Sequence, residues 1–66
     1  MTIAEAIDQA RKDAGLSKRR LAREVGCTEA AMRHWIDGRR EPKMRYLAPL
    51  SSATGKPLRW FLDVTR

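Results

Sequence analysis

The sequence predicts an all-α fold of five short helices, and two kinds of observation predict it. Apolar residues recur at intervals of three and four, which gives each helix one apolar face. Residues that favour helix starts precede these apolar stripes, and glycines that favour helix ends follow them. The clearest case runs from Leu16 to Gly38, where the pattern predicts two short helices separated by one tight turn.

The first helix of this stretch is predicted to begin after Ser17, whose hydroxyl oxygen can accept from a free first-turn amide. Leu21, Ala22 and Val25 then share one face. Gly26 ends the helix, because glycine takes positive φ without a Cβ clash. The small side chain of Ala22 permits the close helix crossing that so short a turn requires.

The second helix is predicted to begin after Thr28, which offers another N-cap hydroxyl. Met32, Trp35 and Ile36 form its apolar stripe, since they repeat at spacings of three and four. Gly38 ends it. The pattern therefore predicts a helix-turn-helix pair.

The order of these residues resembles the Cro/repressor (Xre-type) helix-turn-helix family of bacterial and phage DNA-binding proteins. The residues in register are Leu21, Ala22, Gly26, Thr28, Met32, Trp35, Gly38 and Pro42. The likeness extends loosely from Ile3 to Leu62. It implies one compact five-helix domain over residues 1–66, with the motif at 17–38.

The N-terminal helix is predicted from a capping box, in which Thr2 and Glu5 each satisfy a backbone amide at the helix start. Its apolar stripe is expected to consist of Ile3, Ile7, Ala10 and Ala14. In the family an arginine near Arg11 often pairs with a glutamate late in the recognition helix, but Ile36 occupies that position here. Asp37, Asp8 and solvent remain as alternative partners of Arg11.

A fourth helix is predicted from Met44 to Ala53, with Pro49 inside it. Proline has no amide to donate to the carbonyl of Arg45, which costs about 3 kcal/mol in a helix interior. The helix is therefore expected to be kinked or split at Pro49, and a kink is the favoured alternative. Pro57 is expected to be the first residue of a fifth helix, where a missing amide costs nothing.

The charge of the chain indicates a polyanionic partner. The formal net charge is +6 and the isoelectric point is near 10.5. Nine basic residues and four acidic ones lie between Lys18 and Arg45, so most of the excess surrounds the motif. The alternative explanation is an ordinary solvated surface.

Base contacts are expected from the side of the second motif helix opposite its apolar stripe, and the resemblance implies the same positions. These residues are Thr28, Glu29, Ala30, Arg33 and His34. Arg33 is the foremost candidate, because a guanidinium can donate to O6 and N7 of guanine; a phosphate contact is its alternative. Glu29 either accepts from cytosine or complements the positive helix start. His34 either donates to DNA or is an exposed residue without a ligand.

Phosphate contacts are expected on both sides of this helix, from the start of the first motif helix and from the basic loop after Gly38. The residues concerned are Ser17, Lys18, Arg19, Arg39, Arg40 and Lys43. The resemblance implies the roles of Lys18 and of the loop. Tyr46 is expected either to lie in the core or to contact a phosphate.

The fifth helix carries more large apolar side chains than one face of a short helix buries in its own domain. They are Leu58, Trp60, Phe61 and Leu62. We expect these residues to form the interface of a homodimer.

Together these features predict a DNA-binding transcription regulator, in the first place a Cro-like repressor that binds a pseudo-palindromic operator as a dimer. An antitoxin-type regulator and a protein-interaction module on the same fold are the alternatives. No enzyme, cofactor, metal or small-molecule ligand is expected, because no catalytic or ligating group of residues appears. A cytoplasmic protein without a membrane segment is expected, since Cys27 has no disulfide partner and no apolar run is long enough.

Overall fold

A computed structural model describes residues 1–64 as five α-helices and one short 3₁₀ helix, with no strand among them. The α-helices are Ile3–Asp13 (α1), Lys18–Val25 (α2), Glu29–Ile36 (α3), Leu47–Thr54 (α4) and Leu58–Leu62 (α5), and the 3₁₀ helix is Met44–Tyr46. The all-α class and the number of helices predicted from the sequence are confirmed.

Helix α1 begins at the predicted capping box. The amide of Thr2 donates to Oε1 of Glu5 over 2.8 Å, and the amide of Glu5 donates to Oγ1 of Thr2 over 3.1 Å. The buried face consists of Ile3, Ala6, Ile7 and Ala10. Ala14, which the sequence placed on this face, is exposed because it lies beyond the last helical turn as the C-cap residue.

Arg11 links the end of α1 to the segment that enters α2. Its Nη2 atom donates to Oδ1 of Asp8 over 2.8 Å, and its Nη1 atom donates to the carbonyl oxygen of Leu16 over 2.9 Å. Of the three alternatives that the sequence left open, Asp8 is therefore correct. The second contact provides the carbonyl of Leu16 with a hydrogen-bond donor, which fixes the chain just before the motif.

The turn between α2 and α3 follows the predicted pattern. Gly26 has φ of +85°, and the amides of Gly26 and Cys27 both donate to the carbonyl of Ala22, over 2.9 and 3.0 Å. The hydroxyl of Thr28 then accepts from the amide of Ala31 over 3.0 Å and starts α3. The side chain of Ala22 is only 2% exposed, in agreement with the close crossing predicted from its size.

All five helices contribute side chains to one apolar core. Its buried members are Ile3, Ile7, Ala10, Leu21, Ala22, Val25, Met32, Trp35, Leu47, Leu50 and Phe61. Ile36 packs against this core but is only partly buried. Because Met32 and Trp35 anchor α3 here, the opposite side of that helix faces outward.

The region around Pro49 differs from the expected kinked helix. The segment is divided into the 3₁₀ helix and α4, and Pro49 is the third residue of α4. Amides in the first turn of an α-helix have no intrahelical acceptor, so the missing N–H of Pro49 breaks no helical bond. The favoured kink was wrong and the alternative of a split helix is correct, because α4 begins three residues later than Met44, at Leu47.

Helix α5 is held against α1 by Trp60, whose Nε1 donates to the carbonyl of Ala6 over 3.1 Å. The ammonium group of Lys56 lies 4.5 Å from the centre of the Trp60 ring and 2.9 Å from Oδ2 of Asp13. Phe61 has no exposed surface. Its expected place in a dimer interface is therefore corrected, because the core of a single chain already buries the whole ring.

Pro57 is the N-cap residue of α5 rather than its first helical residue. Its φ of −64° suits a helix, but its ψ of 152° is extended. The predicted start of the fifth helix was thus one residue too early. The amide of Trp60 donates to the carbonyl of Pro57 over 2.9 Å, so Pro57 still provides the first acceptor of the helix.

Replacing Pro49 with alanine should change the free energy of unfolding by less than about 1 kcal/mol, because no helical hydrogen bond is gained and only unfolded-state freedom changes. The matched control is Ala53→Pro, which removes an amide late in the same helix and should cost about 3 kcal/mol. Urea unfolding measures both. A gain of several kcal/mol in Pro49→Ala would show that the proline strains the helix.

Asp13 should make the stability of the chain depend on pH. Hydrogen bonds from Lys56 and then from Gln9 hold the pKa of Asp13 below its ordinary value of 3.8. A carboxyl group with a lowered folded-state pKa stabilises the fold fully above its unfolded pKa. That stabilisation disappears as pH falls through the lowered pKa.

We therefore expect the free energy of unfolding to decrease more steeply below pH 3.8 in the wild type than in Asp13→Asn. Lys56→Gln is the matched variant, because it removes the same pair from the other side. Urea unfolding at a series of acid pH values provides the comparison. If the free energy of unfolding falls with pH in parallel in the wild type and Asp13→Asn, Asp13 is not the source of the pH dependence.

Candidate nucleic-acid interface

The outward side of α3 presents the residues that the sequence predicted as base contacts. Thr28, Ala30 and Arg33 are exposed, and Glu29 and His34 are half-buried. Thr28 is also the N-cap residue, so its hydroxyl already accepts one hydrogen bond within the chain. The structure brings these residues together on one surface.

Glu29 and Arg33 form an ion pair along this surface. Both Nε and Nη2 of Arg33 donate to the same oxygen of Glu29, Oε2, over 3.1 and 2.5 Å. The two side chains remain 39% and 59% exposed, respectively. The sequence interpretation considered each residue separately and missed their pairing, although the spacing of four with the acid first is the signal that predicts it.

A groove with a volume of about 400 Å³ runs between α3 and the segment that follows it. It is lined by Thr28, Ala30, Ala31, His34, Trp35, Arg40, Glu41, Lys43, Arg45 and Tyr46. The groove thus combines residues predicted to contact bases with residues predicted to contact phosphates. Three cations, Arg40, Lys43 and Arg45, line it together with an aromatic pair.

Tyr46 forms that aromatic pair with Trp35. Their ring centres are 5.0 Å apart and the rings are tilted by 52°, a favourable edge-to-face type of arrangement. The guanidinium carbon of Arg45 lies 5.1 Å from the centre of the Tyr46 ring. The Tyr46 ring therefore packs at the edge of the core, while its hydroxyl group lies near Arg45 at the groove.

The expected phosphate contacts lie at two places beside α3. Lys18 is the half-buried first residue of α2, and Arg19 beside it is exposed. The hydroxyl of Ser17 accepts from the amide of Arg20 over 3.0 Å, so its oxygen is engaged as the N-cap. Arg20 itself pairs with Glu24 over 3.0 Å and belongs to the ordinary surface of α2.

The basic loop after α3 is fixed to the end of that helix. The amides of Arg39 and Arg40 both donate to the carbonyl of His34, over 2.9 and 3.3 Å. Arg39, Arg40 and Lys43 are exposed. Their backbone is therefore positioned by α3 while their side chains remain available.

The charges on this surface are largely unneutralised. Among residues 1–64, none of the predicted phosphate-contacting cations takes part in an ion pair; these are Lys18, Arg19, Arg39, Arg40 and Lys43. The acids of α1 are instead neutralised locally, since Asp8 binds Arg11 and Lys12 while Asp13 binds Lys56. The field of the chain is thus positive around α3.

A sequence model described as helix-turn-helix matches residues 7–61, which is most of the chain. The chain belongs to the Cro/Xre-type helix-turn-helix family. Comparisons with curated proteins and with solved structures gave no significant match. The family assignment therefore rests on the sequence match together with the helix order and the motif geometry.

Membership in the helix-turn-helix family makes the chain a DNA-binding transcription regulator in general terms, and enzymes are not typical of this family. Within residues 1–64, no three His, Cys, Asp or Glu side chains gather in a group suited to a metal ion. Over the same residues, no helix combines the length and apolar character needed to cross a bilayer.

Proposed function

We propose that the chain binds double-stranded DNA sequence-specifically, by inserting the outward side of α3 into the major groove. The observation that carries this proposal is that the side of α3 away from the core carries Glu29, Arg33 and His34, while the cations at the start of α2 and after α3 have no ion-pair partner within residues 1–64. An α-helix fits the major groove, where base edges present distinguishable donors and acceptors. Cations beside it neutralise the phosphates of the groove walls.

In this arrangement, Arg33 donates to O6 and N7 of a guanine. Ala30 is small and exposed, and its methyl group suits contact with a thymine methyl. Thr28 and His34 complete the base-reading surface, and Glu29 lies on the same surface paired with Arg33. The phosphate contacts come from two groups, Ser17, Lys18 and Arg19 at the start of α2 and Arg39, Arg40 and Lys43 after α3.

The proposal includes a homodimer joined through α5. Leu58 begins this helix with 42% of its surface exposed, so its side chain is available for contact with a second copy. Trp60 and Leu62 are partly buried beside it, and Phe61 supports the helix from the core. Two copies would place their α3 helices about 34 Å apart, in successive major grooves of a pseudo-palindromic operator.

Repression requires only DNA binding, because a protein that occupies an operator excludes competing proteins from the same DNA. The proposed role is therefore that of a Cro-like phage protein or a small bacterial regulator. An antitoxin-type regulator would use the same DNA surface. A protein-interaction module would leave the basic surface without a role, and the salt dependence of DNA binding separates it from these regulators.

Binding to a duplex selected from random sequences should weaken steeply with salt, with a log–log slope of about −3.6 to −5.4 for four to six phosphate contacts. Arg33→Ala should cost about 1–3 kcal/mol on the selected duplex and remove a preference at one base position. Lys18→Ala should instead weaken binding to all duplexes equally and make the slope shallower by about one for each subunit of the dimer. Fluorescence anisotropy at several salt concentrations measures these effects.

Arg23→Ala provides a control for charge alone, since Arg23 is an exposed cation of α2 outside the proposed contacts. It should change the slope less than Lys18→Ala. A slope near zero for the wild type would favour the protein-interaction module. Equal losses on selected and random duplexes in Arg33→Ala would remove Arg33 from base reading.

Leu58→Asp should weaken the dimer while leaving the chain folded, because an acid at the first position of a helix is favourable whereas a carboxylate in an apolar interface is not. Met44→Asp is the matched control, since Met44 is also exposed, at 68%, but lies outside α5. Sedimentation should show a dimer weakened at least about tenfold only in Leu58→Asp. A monomeric wild type, or equal effects of both variants, would contradict this interface.

A further inference from the structure

We infer that Glu29 is a positioning residue that makes Arg33 selective for guanine over the phosphate backbone. The inference rests on the proposed DNA-binding function and concerns how its principal base contact is oriented. The observation that carries it is the Glu29–Arg33 pair, in which one carboxylate oxygen accepts from both Nε and Nη2 of the guanidinium.

The pair uses one edge of the guanidinium and leaves the other free. A guanidinium presents its N–H donors in a rigid fork, along an Nε–Nη2 edge and an Nη1–Nη2 end. Glu29 occupies the Nε–Nη2 edge of Arg33. The Nη1 and Nη2 hydrogens at the end of the group remain available for bidentate donation to O6 and N7 of guanine.

The occupied edge is one of the two edges through which a guanidinium can bind a phosphate. Arginine forms bidentate pairs with phosphate as readily as with carboxylate, so an unrestrained Arg33 would have many sequence-independent partners on any duplex. The negative charge of Glu29 further repels phosphates from this part of α3. Glu29 therefore lowers the affinity for DNA in general while it leaves the guanine contact intact.

A contribution to folding stability explains the Glu29–Arg33 pair less well than the orientation of Arg33 does. A solvent-exposed ion pair at this helical spacing contributes little to folding. Glu29 also lies in the first turn of α3, where any acid complements the positive helix end. Aspartate would serve that second role, but its shorter side chain cannot reach Arg33 in the same way. Glu29→Asp thus separates charge at the helix start from orientation of Arg33.

The test measures binding of wild type, Glu29→Gln, Glu29→Asp, Arg33→Ala and the Glu29→Gln/Arg33→Ala double variant. Each protein is titrated with the duplex selected by the wild type and with a random duplex of equal length, at fixed salt. The ratio of the two affinities is the specificity. Circular dichroism melting of each variant reports any structural effect separately.

We expect Glu29→Gln to lower the specificity ratio about tenfold, mainly through tighter binding to the random duplex and a steeper salt dependence. Glu29→Asp should also lower the ratio, with an unchanged melting temperature. In the Arg33→Ala background, Glu29→Gln should change the ratio less than about twofold, because interacting residues are not additive.

An unchanged ratio in Glu29→Gln would overturn the inference while leaving the proposed function in place. If Glu29→Gln lowers the specificity ratio equally in the wild-type and Arg33→Ala backgrounds, the inference is also overturned, because Glu29 would then read a base independently. A wild type that shows no preference for any duplex would overturn both the inference and the sequence-specific function.

Discussion

The close crossing of α2 and α3 is the constraint on which the rest of the structure depends. Two features allow it: the small, buried side chain of Ala22 and the left-handed conformation of Gly26, with φ of +85°. A Cβ atom at Gly26 would meet nothing within 4 Å, so the requirement for glycine there is conformational rather than steric. The carbonyl of Ala22 accepts from both residues that follow α2, which fixes the direction of the turn.

Because of this crossing, the two sides of α3 have separate roles. Met32 and Trp35 place one side of α3 in the core, and the opposite side therefore carries the residues proposed to read DNA. The basic loop is attached to the same helix through the carbonyl of His34. Base-reading and phosphate-binding residues are thus positioned by a single rigid element, whose seating in the core depends on contacts with α1 and α2.

Local chemistry explains which parts were predictable from the sequence. N-caps at Thr2, Ser17 and Thr28 and the glycine after α2 depend on neighbouring residues, and all were identified correctly. Pro49 was misjudged because the effect of a proline depends on where its helix begins, and the 3₁₀ helix shifts that start. The burial of Phe61 depends on how α5 packs on distant helices, which no local pattern specifies. The site residues were chosen by face; the spacing of four signals the Glu29–Arg33 pair, but which edge of the guanidinium the carboxylate occupies depends on side-chain conformation.

The central claim is that the outward side of α3 enters the major groove between two groups of cations. An NMR titration of the ¹⁵N-labelled chain with a selected duplex tests it most directly. The account predicts the largest amide shifts, and protein–DNA contacts, at residues 28–34, near Lys18 and along the loop from Arg39 to Lys43, with small shifts on the exposed side of α1. Shifts concentrated on α1, or none on α3, would contradict the account.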